Sequence, residues 1–202
     1  MSRRSPLVLA LVLLALPFAG GSLAAPGSRA APDKGATEKA PPKAPTLDDL
    51  FGRLKASEDP GEAKGIARLI EQRLDRSGSA TVDLLTARAR QAMVARDFPL
   101  AAELMDRATA LSPTWSEGWN RRATVFWLMS DKGEAVADLQ RALVLEPRHF
   151  EAWSALGKIY QSMDDDAHAL AAFRRALAIY PQMDSVKEAV DRLAPTVDGR
   201  DL

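Results

Sequence analysis

The chain has 202 residues, of which 47% are hydrophobic and 27% charged, a composition typical of a folded domain rather than of a disordered protein. Its 27 basic and 27 acidic residues balance, so the chain lacks the excess positive charge with which proteins bind nucleic acid. It contains no cysteine, which excludes disulfides, thiolate metal ligands, a cysteine nucleophile and a lipidated cysteine.

The first 24 residues have the pattern of a secretory signal peptide. Arg3 and Arg4 supply a positive end, residues 7–18 are almost entirely apolar, and Ser22-Leu23-Ala24 offers small residues at the two positions that signal peptidase reads. We therefore expect cleavage at the end of this triplet and a periplasmic or secreted protein. The alternative is an uncleaved membrane anchor, but the apolar run is shorter than the ~20 residues that span a bilayer.

Residues 25–45 have the composition of a linker. Prolines stand among Ala, Gly and Lys, and no large apolar residue is present to offset the entropy of ordering the backbone. The segment therefore predicts a disordered spacer. Its basic residues outnumber its acidic ones, which leaves open a second role as a tether to a negatively charged envelope surface.

A pair of short helices is predicted within residues 46–78. Thr46 and Asp49 have the spacing of a capping box, and apolar residues follow at helical spacing until Asp59-Pro60-Gly61. A second periodic run ends near Ser77-Gly78. The pair is either a degenerate copy of the repeat described next or an N-terminal cap. We interpret it as a cap, because the outermost unit of a stack has only one neighbour against which to bury its apolar face.

Residues 79–181 contain a period of 34 residues. Three segments close with a proline, and each proline follows an alanine five positions earlier; the prolines are Pro113, Pro147 and Pro181. Each segment holds two apolar patterns at helical spacing, separated by a short turn whose acidic residues suit the cap of the second helix. The turns are Asp97-Phe98-Pro99, Asp131-Lys132-Gly133 and Asp164-Asp165-Asp166. Each unit is thus predicted to be helix, turn and helix, and the fixed period indicates stacked repeats.

The last unit carries the clearest pattern. Its first helix presents Trp153, Leu156-Gly157 and Tyr160, and its second presents Ala169, Phe173 and Ala176 before Pro181. These residues resemble the tetratricopeptide repeat, whose first helix carries Trp, Leu-Gly and Tyr and whose second carries Ala, a large apolar residue, Ala and a closing Pro. The middle unit follows the same pattern, except that Arg122 replaces the usual leucine.

The resemblance implies an all-α fold, a right-handed superhelical α-solenoid of helix-turn-helix repeats with capping helices at both ends. Three repeats are expected at about 82–115, 116–149 and 150–183, followed within residues 184–202 by a capping helix that ends at Pro195 and a polar tail. Gly157 is expected to let a neighbouring helix come close. Thr114 and Glu117 have the spacing of a capping box for the middle repeat.

Signals for catalysis or for a cofactor are weak. His149 and His168 form no metal-binding pair, and we expect both to be solvated surface residues. The aspartate triplet at residues 164–166 lacks the alternating oxygen ligands of a calcium loop, and no glycine-rich phosphate loop or nucleophile elbow is present. We therefore expect no catalytic residue, no metal and no cofactor, and interpret the chain as a non-enzyme.

In the family, the first helices of the repeats line a concave groove that receives a partner peptide, so the resemblance implies binding. Trp127 could anchor a partner side chain or pack against the neighbouring helix, and Arg90, Asn120 and Lys158 could hold carbonyl or carboxylate groups. The groove-facing residues that we single out are Arg90, Met93, Glu117, Asn120, Thr124, Trp127, Ser154, Lys158 and Gln161.

Two functions are consistent with these patterns. The first is a non-enzymatic protein–protein interaction scaffold of the bacterial cell envelope, which binds a partner peptide or protein in the groove. The alternative is a non-catalytic subunit or glycan-binding part of an envelope enzyme complex that acts on the cell wall. We expect neither a nucleic-acid partner nor a membrane span in the mature chain. The oligomeric state is left open, because repeat ends could also stack on one another.

Overall fold

The computed structural model describes residues 44–199. The predicted signal peptide, the linker up to residue 43 and the last three residues lie outside the described residues. Within residues 44–199 the chain forms nine α-helices and no strand, which confirms the predicted all-α class. None of these helices has the length and hydropathy needed to cross a membrane. The helices are α1 Leu47–Ala56, α2 Pro60–Leu74, α3 Ala80–Val94, α4 Phe98–Leu111, α5 Ser116–Leu128, α6 Lys132–Leu145, α7 Phe150–Gln161, α8 Asp166–Ile179 and α9 Asp184–Asp198.

Helices α3 to α8 form three helix hairpins that stack in chain order. α3 packs on α4, α5 on α6 and α7 on α8, while α4 packs on α5 and α6 on α7, which joins each hairpin to the next. Each repeat therefore buries its apolar face against its neighbours, as in a solenoid. α9 covers the last hairpin, where Val186, Ala189 and Leu193 complete the core of α8.

The turn inside each hairpin repeats the same local chemistry. The first helix is followed by a residue with positive φ, namely Arg96, Ser130 or Asp164. The next residue is an aspartate that caps the second helix and accepts a backbone N–H at 3.2 Å; these caps are Asp97, Asp131 and Asp165. The acidic caps predicted from the sequence are thus confirmed, and so is the Thr46–Asp49 capping box of α1.

The third repeat shows the close helix approach that its glycine predicts. A Cβ atom added to Gly157 would lie 2.5 Å from the ring of Phe173, so α7 and α8 can approach this closely only because residue 157 has no side chain. The equivalent pair in the second repeat is Ala123 with Leu139, both buried. A larger first residue is therefore matched by a smaller second one.

Both signature tryptophans are partly buried in the core of the second and third repeats. The indole N–H of Trp119 donates to the carbonyl of Pro113 at 3.0 Å, and that of Trp153 donates to the carbonyl of Pro147 at 2.9 Å. Each indole thereby links the first helix of a repeat to the proline that closes the preceding one.

Arg122 occupies in the second repeat the place that Leu156 holds in the third. Its guanidinium donates two hydrogen bonds to Asp138, at 2.7 and 2.6 Å, and lies 4.6 Å from the ring centroid of Trp119. A third bond of 3.0 Å reaches Asp106. The Asp138 carboxylate is 2% exposed, so the departure from the usual leucine is stabilised by a buried, bidentate ion pair.

The last helix continues beyond Pro195, so the prediction that it ends there is wrong. α9 runs to Asp198 with the proline inside it. Its final turn is held by an ion pair of 2.6 Å between Asp198 and Arg174 of α8, and Val197 packs against the core. These tertiary contacts outweigh the one backbone hydrogen bond that proline cannot donate.

Helices α1 and α2 form a hairpin, here called the N-terminal pair, that packs on the third repeat. Its core of Leu50, Phe51, Leu54, Ala63, Ile66, Ala67 and Ile70 includes Phe150 of α7 and contacts Ile179, Tyr180 and Met183. A cap at the start of the stack would pack on α3 instead. The observed placement thus differs from the one we expected, because the apolar surface that covers the pair lies near the other end of the solenoid.

Polar contacts tie the N-terminal pair to each of the turns between consecutive repeats. At the α4–α5 turn, the Trp115 indole donates to the carbonyl of Leu74 at 2.7 Å. At the α6–α7 turn, Arg148 binds Asp48 at 2.6 Å and lies over the ring of Phe51. At the α8–α9 turn, the Gln182 amide approaches the carbonyls of Ser57 and Glu58 at 3.5 and 3.4 Å. The pair therefore runs along the edge that these turns form.

Candidate binding groove

The first helices of the three repeats line two adjoining cavities. The first cavity, of about 390 Å³, is lined by Thr86, Ala89, Arg90, Met93, Met105, Glu117, Asn120, Arg121, Thr124, Glu151 and Ala155. The second cavity, of about 300 Å³, is lined by Ala123, Thr124, Trp127, Leu139, Glu151, Ser154, Ala155, Lys158, Ile159 and Met183. They share Thr124, Glu151 and Ala155, so they form one continuous groove across α3, α5 and α7.

Eight of the nine residues singled out from the sequence line this groove. Arg90, Met93, Glu117 and Asn120 line the first cavity, Trp127, Ser154 and Lys158 the second, and Thr124 lines both. Gln161, at the end of α7, lines neither cavity. Glu151, Arg121 and Met183, which our selection left out, lie beside the predicted residues. The role of these side chains in binding stays a prediction.

The second cavity combines an apolar floor with an aromatic wall. Leu139 and Ile159 are buried beneath it, and Met183 closes it from the start of α9. Trp127 is 37% exposed, so its ring is neither free in solvent nor fully packed against a neighbouring helix. A half-covered tryptophan beside an apolar floor is able to contact a partner side chain.

Two cations at the rim of the groove have no ion-pair partner within residues 44–199. Arg90 lines the first cavity and Lys158 the second, and both are exposed. Arg121 differs, because its guanidinium binds Glu117 at 2.7 Å and also Asp75. The two unpaired cations are therefore available to carbonyl or carboxylate groups of a ligand.

Three carboxyl groups and a histidine meet where the groove borders the N-terminal pair; we call Glu71, Glu117, His149 and Glu151 the acidic corner. His149 is only 1% exposed, so the prediction that it lies on the surface is wrong. Its Nε2 is 3.0 Å from the Glu117 carboxylate, and its Nδ1 accepts the backbone N–H of Ala152 at 3.4 Å. The ring therefore caps α7 and links that helix to α5.

The same contacts explain why Glu117 does not form the expected capping box with Thr114. α5 begins at Ser116, and its N-cap residue Trp115 makes no side-chain cap. Glu117 instead accepts hydrogen bonds from Asn120 at 3.0 Å, from Arg121 at 2.7 Å and from the His149 ring. Its carboxylate is thus committed to contacts with side chains rather than with the backbone at the start of its own helix.

The repeat register contained a signal for the burial of His149. Counting one period back from this position reaches Trp115, which is 8% exposed, and counting one forward reaches Met183, which packs in the core of the N-terminal pair. Large residues at the equivalent places of two other turns indicate a buried position. The histidine was read as a lone polar residue, and this comparison was needed to correct that reading.

The carboxyl groups of the acidic corner have different affinities for protons. Burial alone would raise the pKa of Glu117, but the hydrogen bond and charge of His149 and the charge of Arg121 lower it, so this group stays ionised. Burial raises the pKa of Glu151 to about 7, and the negative charges of Glu71 and Glu117 add to this effect. Burial and the charge of Glu117 also raise the pKa of Glu71.

The geometry of the acidic corner is close to that of a metal site without being one. Ligand atoms of Glu117, His149 and Glu151 lie within 4.8 Å of one another. Because Nδ1 of His149 accepts the Ala152 N–H, the neutral ring carries its proton on Nε2 and donates it to Glu117. A metal at Nε2 would require both this proton and the Arg121–Glu117 bond to be lost. We therefore assign no metal to this cluster.

Ser154 is the groove residue whose polar group has no use within the protein. Its side chain is buried, with 2% exposed, and it lines the second cavity beside Glu151 and Lys158. Its Oγ has no hydrogen-bond partner within residues 44–199. Buried hydroxyl groups are nearly always paired, so an unpaired one requires an explanation.

Comparison with known proteins supports the repeat register. A family model described as a tetratricopeptide repeat matches residues 150–183, the bounds of the third predicted unit. A TPR repeat-containing protein of Rhizobium etli is 39% identical over 94 residues, which cover 46% of this chain and 46% of that protein. The match thus spans less than half the length of this relative.

Solved structures of similar architecture extend the comparison to the fold. The Arabidopsis OM64 TPR domain has a TM-score of 0.55 at 21% identity and covers 58% of this chain and 97% of its own. The first TPR of Spaghetti (RPAP3) bound to an HSP90 peptide scores 0.56 at 14%, covering 59% and 95%. MamA scores 0.55 at 22%, covering 70% and 82%. At these identities the likeness concerns the fold. Together with the matched repeat, it identifies the chain as a tetratricopeptide-repeat protein.

Proposed function

We propose that this chain is a non-enzymatic scaffold of the bacterial cell envelope that binds a partner polypeptide in the groove of α3, α5 and α7. The observation that carries the proposal is the continuity of the two cavities, which joins an apolar floor to a rim with unpaired cations. An extended peptide needs both features, because its apolar side chains seek burial while its backbone carbonyls seek donors.

The dimensions of the groove suit a short segment of extended chain. Neighbouring packed helices lie about 8–10 Å apart, so three first helices span about 20 Å. An extended chain advances about 3.3 Å per residue, and about six residues would therefore cross the groove. Arg90 at one end and Lys158 at the other would meet groups near the two ends of such a segment, with Asn120 and Thr124 between them.

Two further findings support the proposal. A structurally similar domain, the first TPR of Spaghetti, is bound to an HSP90 peptide, so this fold is compatible with peptide binding. The envelope location rests on the signal-peptide pattern of residues 1–24.

The binding role is tested by capturing partners from envelope extracts. We expect the wild-type protein to recover a partner that the triple variant Arg90→Ala, Trp127→Ala, Lys158→Ala recovers at least tenfold less. A matched control, Lys64→Ala, Leu128→Ala, Arg192→Ala, also removes one lysine, one arginine and one large apolar side chain, all exposed and outside both cavities. Equal recovery by the two triple variants would remove the groove from the account.

The location is tested separately by cell fractionation. We expect a C-terminally tagged chain in the periplasmic fraction or the medium, with an N-terminus that begins at Ala25. Recovery of the chain in the cytosol with residues 1–24 still attached would contradict export without affecting the binding experiment.

A further inference from the structure

The second cavity asks for a particular kind of side chain, and this inference rests on the proposed function. Its floor is apolar, its wall is the half-exposed ring of Trp127, and the buried Ser154 hydroxyl in its lining lacks a partner. A ligand group that fills the cavity and also supplies that partner would remove an unfavourable feature of the free protein.

The chemistry of the lining separates the candidate side chains. Phenylalanine or leucine would fill the apolar space and leave the Ser154 hydroxyl unpaired. Serine or threonine would pair with it but leave much of the 300 Å³ and the Trp127 ring uncovered. A charged side chain would be attracted by one of Lys158 and Glu151 and repelled by the other when both are ionised.

Tyrosine meets each requirement. Its ring offers an offset or edge-on contact to Trp127, an arrangement that aromatic pairs favour, and its body covers the apolar floor. Its phenol group both donates and accepts hydrogen bonds, so it can pair with the Ser154 hydroxyl and with the carboxyl of Glu151 on the same helix. The Lys158 ammonium at the rim remains available to a backbone carbonyl of the same residue.

We propose that the second cavity is an anchor subsite for a tyrosine side chain of the partner polypeptide, recognised by Trp127, Ser154 and Glu151. Selection for the phenol group arises because a site that holds buried polar atoms rejects analogues that cannot pair with them. The tyrosine would enter from the groove, beside the extended segment described above.

Single-residue probes test the subsite without knowledge of the partner. N-acetyl-tyrosinamide, N-acetyl-phenylalaninamide and N-acetyl-leucinamide are titrated into the ¹⁵N-labelled protein, and amide and indole shifts are followed by NMR. We expect the tyrosine probe to shift the Trp127 indole and the amides around Ser154, and to bind roughly tenfold more tightly than the phenylalanine probe.

Variants assign the selectivity to its source. Ser154→Ala should reduce the preference for tyrosine over phenylalanine to about twofold or less while leaving the phenylalanine probe unchanged, because only the hydroxyl partner is lost. Ser185→Ala, an exposed serine of α9, is the matched control and should keep the preference. Trp127→Ala should weaken all probes. Circular dichroism melting verifies that each variant is folded.

Three outcomes would overturn the subsite: equal binding of the tyrosine and phenylalanine probes, tighter binding of the leucine probe, or shifts confined to residues outside the second cavity. These outcomes are distinguishable from failure of the proposed function. If partner capture depends on the groove but the probes show no tyrosine preference, the subsite is wrong and the scaffold stands. If the probes bind as expected but the two triple variants capture equally, the scaffold is wrong.

Discussion

Glu151 sits where the groove meets the N-terminal pair, among the carboxyl groups of Glu71 and Glu117. Burial first, and these two charges second, raise its pKa from 4.5 to about 7. The folded protein thus holds a proton that the unfolded chain releases above pH 4.5. The stability associated with this group is fully present below that value, declines as the pH rises towards 7, and then levels off.

Replacing Glu151 with glutamine should remove this decline, because glutamine stays neutral. We expect Glu151→Gln to match the wild type near pH 4.5 and to exceed its free energy of unfolding by about 1–2 kcal/mol at pH 8, a figure reduced for the partial exposure of the side chain. Urea unfolding at both pH values measures the difference. Glu188→Gln, an exposed position on α9, serves as control, and equal pH profiles for the two variants would contradict the assignment.

Arg122 and Asp138 provide a second test at the residue scale. Asp138→Ala leaves a largely buried guanidinium without its bidentate partner and should cost about 2–4 kcal/mol of unfolding free energy. The double variant Arg122→Leu, Asp138→Ala installs the residues that the third repeat already carries as Leu156 and Ala172, and should lie within about 1 kcal/mol of the wild type. Thermal unfolding measures both. A double variant less stable than the single one would show that the repeats are not interchangeable here.

At the scale of helices, the contact of α7 with α8 depends on Gly157. Alanine at this position would place a Cβ 2.5 Å from the Phe173 ring, and we expect Gly157→Ala to cost about 1–3 kcal/mol of unfolding free energy. Adding Phe173→Leu recreates the Ala123–Leu139 pair of the second repeat and should recover part of that loss. A double-mutant cycle from urea unfolding measures the coupling, and strictly additive effects would contradict this account of helix spacing.

Most helices and their caps follow from local sequence, and the failures occur where a distant residue intervenes. The aspartates that cap α4, α6 and α8 act on amides three residues away, so their role could be predicted from the turn alone. Glu117 was assigned to a cap by the same reasoning, but His149, 32 residues later, binds its carboxylate instead. The extension of α9 past Pro195 likewise depends on Arg174, which lies in another helix.

For the whole molecule, the position of the N-terminal pair was the main feature that the sequence could not predict. The period of 34 residues predicts which repeats are neighbours, because stacking follows chain order. The pair lies outside that order: Asp48 meets Arg148 across 100 residues, and its apolar face selects Phe150 rather than α3. An apolar stripe specifies that a helix packs, but not on which surface. The groove residues were predictable for the opposite reason, because their positions follow the repeat register.

Phe150 tests whether the N-terminal pair is held as a unit on the third repeat. Its ring is buried in the core of the pair and lies edge-on to Tyr180, with ring centroids 5.3 Å apart. We expect Phe150→Ala to cost about 3–5 kcal/mol and to accelerate amide hydrogen exchange in α1 and α2 much more than in α3 and α4. Phe98→Ala, at the start of α4, is the control and should spare the pair. A uniform loss of protection across all helices would contradict separate docking.

The tie between Asp48 and Arg148 also determines where the polypeptide before residue 44 emerges. α1 starts beside the turn between the second and third repeats, on the flank of the solenoid, so the preceding segment departs from the side and not from an end of the stack. A protein attached to a surface or fused to a carrier through its N-terminus would be held by that flank. Both ends of its row of helices would then point away from the point of attachment, which is a practical guide for labelling and immobilisation.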